Sequence, residues 1–138
     1  MASLFQAVVS FFEDNDWPMS QTELKDVIKV PFKGSNGEWD CYARIKEKEG
    51  QFAFYSQLPF HVPEAKKIPV ALLLSKINFG LLIGNFEFDF EEGAVRYKTS
   101  ISVGDQALSF PLIEQMVYIN GVTSDRYLPQ IQAVLEAD

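Results

Sequence analysis

The amino-acid sequence predicts an α+β fold: an antiparallel β-sheet of about five to six strands, built on two hairpins, with N-terminal, middle and C-terminal helices. Apolar and polar residues alternate on both sides of two Glu-Gly turns, Glu49-Gly50 and Glu92-Gly93. Only a β-strand presents a period of two as two separate faces. Helical spacing of apolar residues occurs before, between and after the hairpins, as is typical of α+β domains. A length of 138 residues predicts one domain over residues 1–138.

The N-terminal helix is predicted over residues 3–15. Ser3 and Gln6 have the spacing of a capping box, in which the serine hydroxyl accepts a hydrogen bond from a backbone N–H of the first turn. Apolar residues then recur at intervals of three and four, which gives the helix one face to bury. The pair Trp17-Pro18 marks its end, because proline cannot continue a helix.

Two strand candidates follow this helix. Residues 19–23 form a weak candidate, and Val27–Lys33 forms a stronger one with alternating apolar side chains. Pro31 has no backbone N–H to donate, so the stronger strand is expected at a sheet edge or with a free side at Pro31. The Gly-Ser-Asn-Gly sequence at residues 34–37 is typical of a turn.

The first hairpin is predicted over residues 38–58, on both sides of its Glu-Gly turn. A two-residue turn at this place pairs Ile45 with Phe54 on the apolar face. The same register pairs Arg44 with Tyr55 on the polar face. The hairpin therefore has one side for a core and one side for solvent or a partner.

The second hairpin follows the same pattern about its own Glu-Gly turn. A two-residue turn there brings opposite charges together and buries aromatic rings. The expected pairs are Phe88–Tyr97, Phe90–Val95, Asp89–Arg96 and Glu87–Lys98. Phe88 is therefore expected to be buried opposite Tyr97.

The middle helix is predicted over residues 66–79, after Pro59 and Pro63 interrupt the sheet. Pro69 is compatible with a helix only in its first turn. The residues leave open whether the helix begins before Pro69 or at it. Gly80 is a natural C-terminal stop.

The C-terminal helical region is predicted to begin after Ser109, whose side chain caps it. Asn120-Gly121 is expected either to end this helix or to kink it, because both residues disfavour a helix interior. Residues 123–135 are again helical by their pattern, and Pro129 is expected to kink or break them.

Charge and hydropathy narrow the possible partners. A net charge of −7 disfavours nucleic acid, whose phosphates bind clustered lysine and arginine, and it equally disfavours an anionic membrane surface. The most apolar run, residues 68–83, is interrupted by Lys76 and Asn78 and is too short to span a bilayer. The apolar run near the N terminus lacks the basic residues of a signal peptide. We therefore expect a cytoplasmic protein that binds neither nucleic acid nor membrane.

The sequence predicts no catalytic residue, no cofactor and no metal site. His61 lies between two prolines with no partner that a motif identifies, and Cys41 lies on the apolar face of its strand, where a thiol acts as a small hydrophobe. These two residues cannot form a zinc site without carboxylates. The alternating acids Glu87, Asp89 and Glu91 superficially resemble a calcium loop, but the phenylalanines between them require a core.

The outer face of the sheet is the predicted recognition surface. Tyrosine and arginine, which are enriched at protein interfaces, occupy alternate positions of its strands. An ordinary solvated face with ion pairs and cation–π contacts stays open as the alternative. The predicted surface residues on these strands are Tyr42, Arg44, Tyr55, Arg96 and Lys98.

Several segments together resemble the YbjN-domain family, in its short single-domain bacterial form. The matching segments cover nearly the whole chain, and the blocks at residues 96–101 and 125–129 are the most specific. They are FxAVVxFF at residues 5–12, WP at 17–18, GxWxCYA at 37–43, QFxFYS at 51–56, VP at 62–63, NxG at 78–80, IGNFExDF at 83–90, RYKTSI at 96–101 and DRYLP at 125–129.

The resemblance implies a fold similar to that of the type III secretion chaperones, a dimer, and a role in sensory-transduction regulation without a defined biochemical activity. It brings no catalytic residue. It adds Arg126 and Tyr127, from the DRYLP block, to the predicted partner or dimer surface. The sequence departs from the family at Pro69, where the family helix runs on uninterrupted, and at Asn120-Gly121, where the family is more apolar.

The combined prediction is a non-enzymatic protein-interaction module, chaperone-like or regulatory, that works as a homodimer with an unidentified protein partner. The alternative is a small-molecule-binding domain or an enzyme with a pocket between the sheet and the C-terminal helix. A filled core favours the first function, and a deep pocket with convergent polar groups favours the second.

Overall fold

A six-stranded antiparallel sheet forms the centre of the fold. The computed structural model describes residues 3–138. The strands are β1 (Ser20–Gln21), β2 (Val27–Lys33), β3 (Glu38–Lys46), β4 (Gln51–His61), β5 (Asn85–Phe88) and β6 (Ala94–Ser102). They lie side by side in the order β1-β2-β3-β4-β6-β5. The predicted α+β class and the number of strands are therefore confirmed.

Three α-helices accompany the sheet: α1 (Leu4–Asp14), α2 (Lys67–Gly80) and α3 (Phe110–Glu136). Helix α1 begins as predicted, because the Ser3 hydroxyl accepts a hydrogen bond from the Gln6 backbone N–H at 3.1 Å. Helices α1 and α3 pack on the buried side of the strands, and α2 packs against β5 and α3. Within residues 3–138, no helix covers the other side of the sheet, which we call the outer face.

Both hairpins close through four-residue loops rather than two-residue turns. The last pair of β3 and β4 is Lys46 with Gln51, and the Asp89 N–H donates to the Ala94 carbonyl at 2.9 Å across the second loop. Gly50 and Gly93 end the two loops with φ values of 65° and 76°, a conformation that glycine adopts without strain. The longer loops shift each register by two residues, so the predicted faces are right and the predicted cross-strand partners are wrong. Glu87 nevertheless forms the predicted ion pair with Lys98, because the two side chains meet diagonally at 2.9 Å.

The shift changes which ring lies at the centre of the second hairpin. Phe86, and not Phe88, is opposite Tyr97, and the two rings meet edge to face at 4.9 Å between centroids. Phe88 is only half-buried and lies opposite Val95, and Phe90 is exposed in the loop. The expected burial of Phe88 opposite Tyr97 is therefore wrong.

Pro59 departs from the prediction, whereas Pro69 and Pro31 follow it. Strand β4 continues through Pro59 to His61, because its pairing with β6 is irregular between Gln57 and His61 and requires no N–H from the proline. Helix α2 begins at Lys67, before Pro69, which occupies the first turn as expected. Pro31 lies beyond the end of β1, so the predicted free side at this proline is confirmed.

Helix α3 is one continuous helix of 27 residues, so it neither ends at Asn120-Gly121 nor breaks at Pro129. The Asn120 side chain is fully buried and donates hydrogen bonds to the carbonyls of Phe54 at 2.7 Å and Tyr97 at 3.1 Å. A Cβ at Gly121 would overlap the ring of Phe32. Packing on the sheet therefore explains Asn120 and Gly121.

The free edge of β5 is occupied by a side chain. The Asn78 amide at the end of α2 accepts a hydrogen bond from the Phe86 N–H at 2.7 Å and donates one to the Phe86 carbonyl at 3.0 Å. These are the two groups that a neighbouring strand would bind. The Asn78 amide thus pairs this part of the edge and fixes α2 against the sheet.

Candidate functional site

The outer face brings together the five surface residues predicted on the strands. Tyr42 and Tyr55 are cross-strand partners on β3 and β4, and Lys98 on β6 is the next residue in the same row. Arg44 and Arg96 lie in the rows on either side of it. Because these side chains point away from the helices, they are available to another molecule.

Glu87 orders the cations of this face. Its carboxylate pairs with Arg96 Nε at 2.6 Å and with Lys98 Nζ at 2.9 Å. Burial alone would raise the pKa of Glu87, but the hydrogen bonds from Lys98 and Arg96 outweigh burial and hold that pKa below its usual value. The Arg96 guanidinium also lies 4.3 Å from the centroid of the Tyr55 ring. These side chains are therefore held in place before any partner binds.

The outer face is cationic although the chain carries a net charge of −7. The outward strand positions include the basic residues Lys29, Lys33, Arg44, Lys46, Arg96 and Lys98 and the acidic residues Glu38, Asp40 and Glu87. Lys29 pairs with Asp40 at 3.6 Å, and Lys33 pairs with Glu38 at 3.7 Å. Within residues 3–138, no carboxylate lies within ion-pair distance of Arg44 or Lys46.

Several clefts mark this side of the molecule. A cleft of about 430 Å³ lies between β3, β4 and β6, with Arg44, Lys46 and Lys98 in its lining. A larger groove of about 790 Å³ lies at one end of the sheet, between Trp17, Pro31 and Pro59 and their neighbours. The space between the sheet and α3, where the alternative function placed a pocket, contains the fully buried side chains Phe54, Tyr97, Ile113 and Val117.

Arg126 and Tyr127 lie on α3 and are separated from the outer face by the sheet. Arg126 is exposed, whereas the Tyr127 ring packs edge-on against Phe86 at 6.0 Å between centroids. Adjacent residues on a helix point about 100° apart, so the two side chains do not form one contact. Their contribution to a partner or dimer surface stays a prediction.

A second exposed surface was not predicted from the sequence. Helix α2 buries Val70, Leu74 and Ile77 on one side, and it exposes a second row of apolar side chains on the opposite side. Phe79 is 96% exposed and Leu82, in the following loop, is 100% exposed. We call this surface the α2 apolar patch; its residues are Ile68, Leu72, Phe79, Leu82 and Ile83. The signal in the sequence is the spacing of four and seven between the first three residues.

Asp125, beside Arg126, has a structural role that the sequence analysis missed. Its carboxylate accepts hydrogen bonds from the backbone N–H groups of Ser35 at 3.0 Å and Asn36 at 2.8 Å. The Asn36 side chain in turn donates to the Asp125 carbonyl at 2.9 Å. Part of the DRYLP block therefore attaches the β2–β3 turn to α3.

Cys41 occupies the apolar environment predicted for it, whereas His61 is the last residue of strand β4 and not part of a loop. Cys41 is fully buried with its Sγ atom 3.4 Å from the Ser56 hydroxyl, and His61 is exposed at the end of β4. Burial raises the pKa of the Cys41 thiol to about 12, against a smaller lowering by the hydrogen bond to Ser56. The thiolate, which is the reactive form, is therefore scarce near neutral pH.

We expect Cys41 to react slowly with a thiol reagent in the folded protein, because the reagent must wait for the core to open. Denaturant should release the single thiol of the chain and restore the rate of a free cysteine. Labelling with a chromogenic disulfide, with and without urea, measures both rates. Rapid labelling in the absence of urea would show that Cys41 is accessible and would contradict its place in the core.

No helix in residues 3–138 combines the length and hydropathy needed to cross a membrane. The same residues contain no group of three or more His, Cys, Asp and Glu side chains placed to hold a metal ion.

Comparison with known proteins relates the fold to one family and to several solved structures. Residues 5–133 match the model of the YbjN family, described as "Putative bacterial sensory transduction regulator". The crystal structure of YbjN, "a putative transcription regulator from E. coli", is similar with a TM-score of 0.70 and 13% identity, over 94% of this chain and 91% of that chain. No curated protein matches the sequence.

Two solved complexes also contain a chain similar to this one. A chain of the ExsC–ExsE complex has a TM-score of 0.61 and 10% identity, over 91% of both chains. A chain of the HopA1–SchA chaperone–effector complex has a TM-score of 0.49 and 16% identity, over 96% of this chain and 92% of that chain. The type III secretion chaperone-like fold predicted from the sequence is confirmed.

Proposed function

The chain belongs to the YbjN family, and on that premise we propose that it is a non-enzymatic protein-interaction module, chaperone-like or regulatory, that works in the cytoplasm as a homodimer. The observation that carries this proposal is the open outer face with its ordered tyrosine and arginine side chains. The similar ExsC–ExsE structure is itself a complex of two proteins, which supports a protein partner for this fold.

The order of the outer face favours binding. Arg96 is held by Glu87 and by the Tyr55 ring, and Lys98 is held by the same carboxylate. Side chains that are fixed in the free protein lose little conformational entropy when a partner arrives. Tyrosine and arginine also contribute disproportionately to the energy of protein interfaces.

Capture of partner proteins from a bacterial lysate tests the proposed function, because the substitutions can be confined to the outer face. We expect proteins retained by the natural chain to be lost when both Tyr42 and Tyr55 are replaced by alanine, since the two side chains are neighbours on the outer face. The matched control is Glu114→Ala, an exposed position on α3. Mass spectrometry of the three eluates gives the result. Identical profiles for all three proteins would contradict a partner site on this face.

The α2 apolar patch supports the homodimer. Five large apolar side chains are exposed on α2 and in the loop after it, and exposed apolar surface of this extent often marks a protein–protein interaction site. A two-fold axis brings the same patch of two copies together, so one apolar surface covers another of the same shape. A second copy is therefore the occupant that we propose for this patch.

We expect Leu72→Glu and Phe79→Glu each to convert the dimer to a monomer, because both would place a carboxylate in the apolar interface without a partner. Sedimentation velocity should then give the mass of one chain, 15.7 kDa, instead of twice that value. Leu24→Glu is the matched control, since Leu24 is exposed near β1 at the opposite edge of the sheet. If the patch variants keep the dimer mass, or if the natural chain is a monomer, this interface is excluded.

A further inference from the structure

We propose that the cleft between β3, β4 and β6 binds an extended acidic segment of the partner, with carboxylates at alternate positions. This inference rests on the protein-binding function proposed above and names the chemistry of its partner. The cleft is the one of about 430 Å³ on the outer face. Its shape, its unpaired cations and the charge around it each favour this occupant.

The shape of the cleft follows from small residues between large ones. Ala53 on β4 and Ser100 on β6 are cross-strand partners and form its floor. Arg44 and Lys46 form one wall, and Tyr55 and Lys98 lie towards one end. The lining spans three successive cross-strand rows, from Tyr55 and Lys98 to Gln51 and Ser102, which is about 14 Å along the strands and enough for a short extended segment.

The cations match the repeat of an extended chain. Arg44 and Lys46 are two residues apart on β3 and point to the same side. Alternate side chains of a strand are about 7 Å apart. An extended segment with carboxylates at every second residue has the same spacing, so each carboxylate meets one cation in a charge-assisted hydrogen bond.

These cations are available without breaking an internal ion pair. Arg44 and Lys46 have no carboxylate within ion-pair distance in the part of the chain that the structure describes. Lys98 and Arg96 share the single carboxylate of Glu87, which leaves positive charge at the end of the cleft. The hydroxyl of Ser100 adds a neutral donor at the floor.

The charge of the whole chain favours a short acidic segment over a long polyanion. The net charge of −7 means that the surface away from the outer face is strongly acidic. A nucleic acid or an anionic membrane extends beyond one cleft and meets that acidic surface, whereas a few residues of peptide do not. The cationic cleft also steers an acidic segment to the outer face by long-range attraction.

A peptide titration of the full chain, followed by amide NMR, tests the inference. The probes are a capped peptide of alternating threonine and glutamate, a peptide of the same composition with its glutamates adjacent, and the alternating peptide with glutamine for glutamate. We expect the alternating acidic peptide to bind most tightly and to shift the amide signals of Ala53 and Ser100. The adjacent-acid peptide should bind several-fold more weakly, and the glutamine peptide should not bind. Added salt should weaken binding.

Variants of the cleft give the second measurement. Replacing both Arg44 and Lys46 by glutamine should raise the Kd for the alternating acidic peptide about tenfold or more. Lys76→Gln is the matched control for loss of one charge on α2, and it should leave the Kd within about twofold.

Several outcomes would overturn the inference. Equal affinity for the alternating and adjacent-acid peptides would show that the spacing of the carboxylates does not matter. An unchanged Kd in the double variant would show that Arg44 and Lys46 do not bind the peptide. Tighter Arg44-dependent binding of oligothymidine or of phosphatidylserine vesicles would assign the cleft to another class of ligand. If the acidic peptide fails while capture from lysate still depends on Tyr42 and Tyr55, only this inference falls. If both tests fail, the proposed function falls as well.

Discussion

Replacement of Asn120 by aspartate is expected to destabilise the protein by about 4 kcal/mol or more. The Asn120 amide nitrogen faces the carbonyls of Phe54 and Tyr97 and the hydroxyl of Thr99. Its own carbonyl oxygen has no hydrogen-bond partner within residues 3–138. An aspartate at this fully buried position would direct a carboxylate oxygen, instead of a donor, at two acceptors.

Urea titration followed by circular dichroism measures this loss. Gln130→Glu makes the same change from amide to carboxylate at an exposed position of α3, and it should cost less than about 0.5 kcal/mol. If Asn120→Asp remains folded with a midpoint close to that of Gln130→Glu, the hydrogen bonds of Asn120 do not hold α3 to the sheet.

Gly121→Val is expected to destabilise the protein by about 3 kcal/mol or more. At an exposed position in a helix interior, replacing glycine by alanine removes a cost of about 1 kcal/mol and replacing it by valine removes less, so the usual effect of either change is stabilising. Here the added side chain would occupy the place of the Phe32 ring. Phe32 cannot move freely, because its ring stacks on Trp39 at 5.1 Å and contacts Trp17 at 6.2 Å between centroids.

A double-mutant cycle distinguishes this overlap from a general effect of valine in a helix. Phe32→Ala should remove the obstacle, so the loss caused by Gly121→Val should be smaller in that background. Thermal unfolding of the four proteins gives the coupling. Additive losses would show that the Phe32 ring does not determine the cost at Gly121.

The faces of the strands could be predicted from the sequence, whereas their registers could not. A period of two fixes which side each residue occupies, and this is enough to place Tyr42, Arg44 and Arg96 on one surface. Register depends on loop length, and a Glu-Gly pair fits both a two-residue turn and the end of a four-residue loop. Because both hairpins use the longer loop, both registers were predicted two residues out of place.

Helix α3 shows why local preference alone could not establish that Asn120-Gly121 lies inside one continuous helix. Asparagine and glycine disfavour a helix interior when solvent surrounds them. Here the sheet supplies acceptors for Asn120 and a ring that only glycine can approach, so packing outweighs preference. That information lies in residues far along the chain, which a local pattern does not contain.

The α2 apolar patch could not be identified because α2 is apolar on two opposite sides. Periodicity then gives two apolar rows, and either could be the buried one. Which row is buried depends on which one contacts the rest of the fold. The structure buries Val70 and Leu74 and leaves Leu72 and Phe79 outside. Asp125 was missed for a related reason, since its partners are backbone groups of a distant turn.

The Asn78 amide limits how copies of this protein can add to one another. A sheet grows into a filament when an unpaired edge recruits the backbone of the next molecule. At one edge the Asn78 side chain already binds the N–H and carbonyl of Phe86, and at the other edge β1 has only two residues. Neither edge offers a long template for another strand. We therefore expect copies of the protein to associate through exposed surfaces rather than by extension of the sheet at either edge.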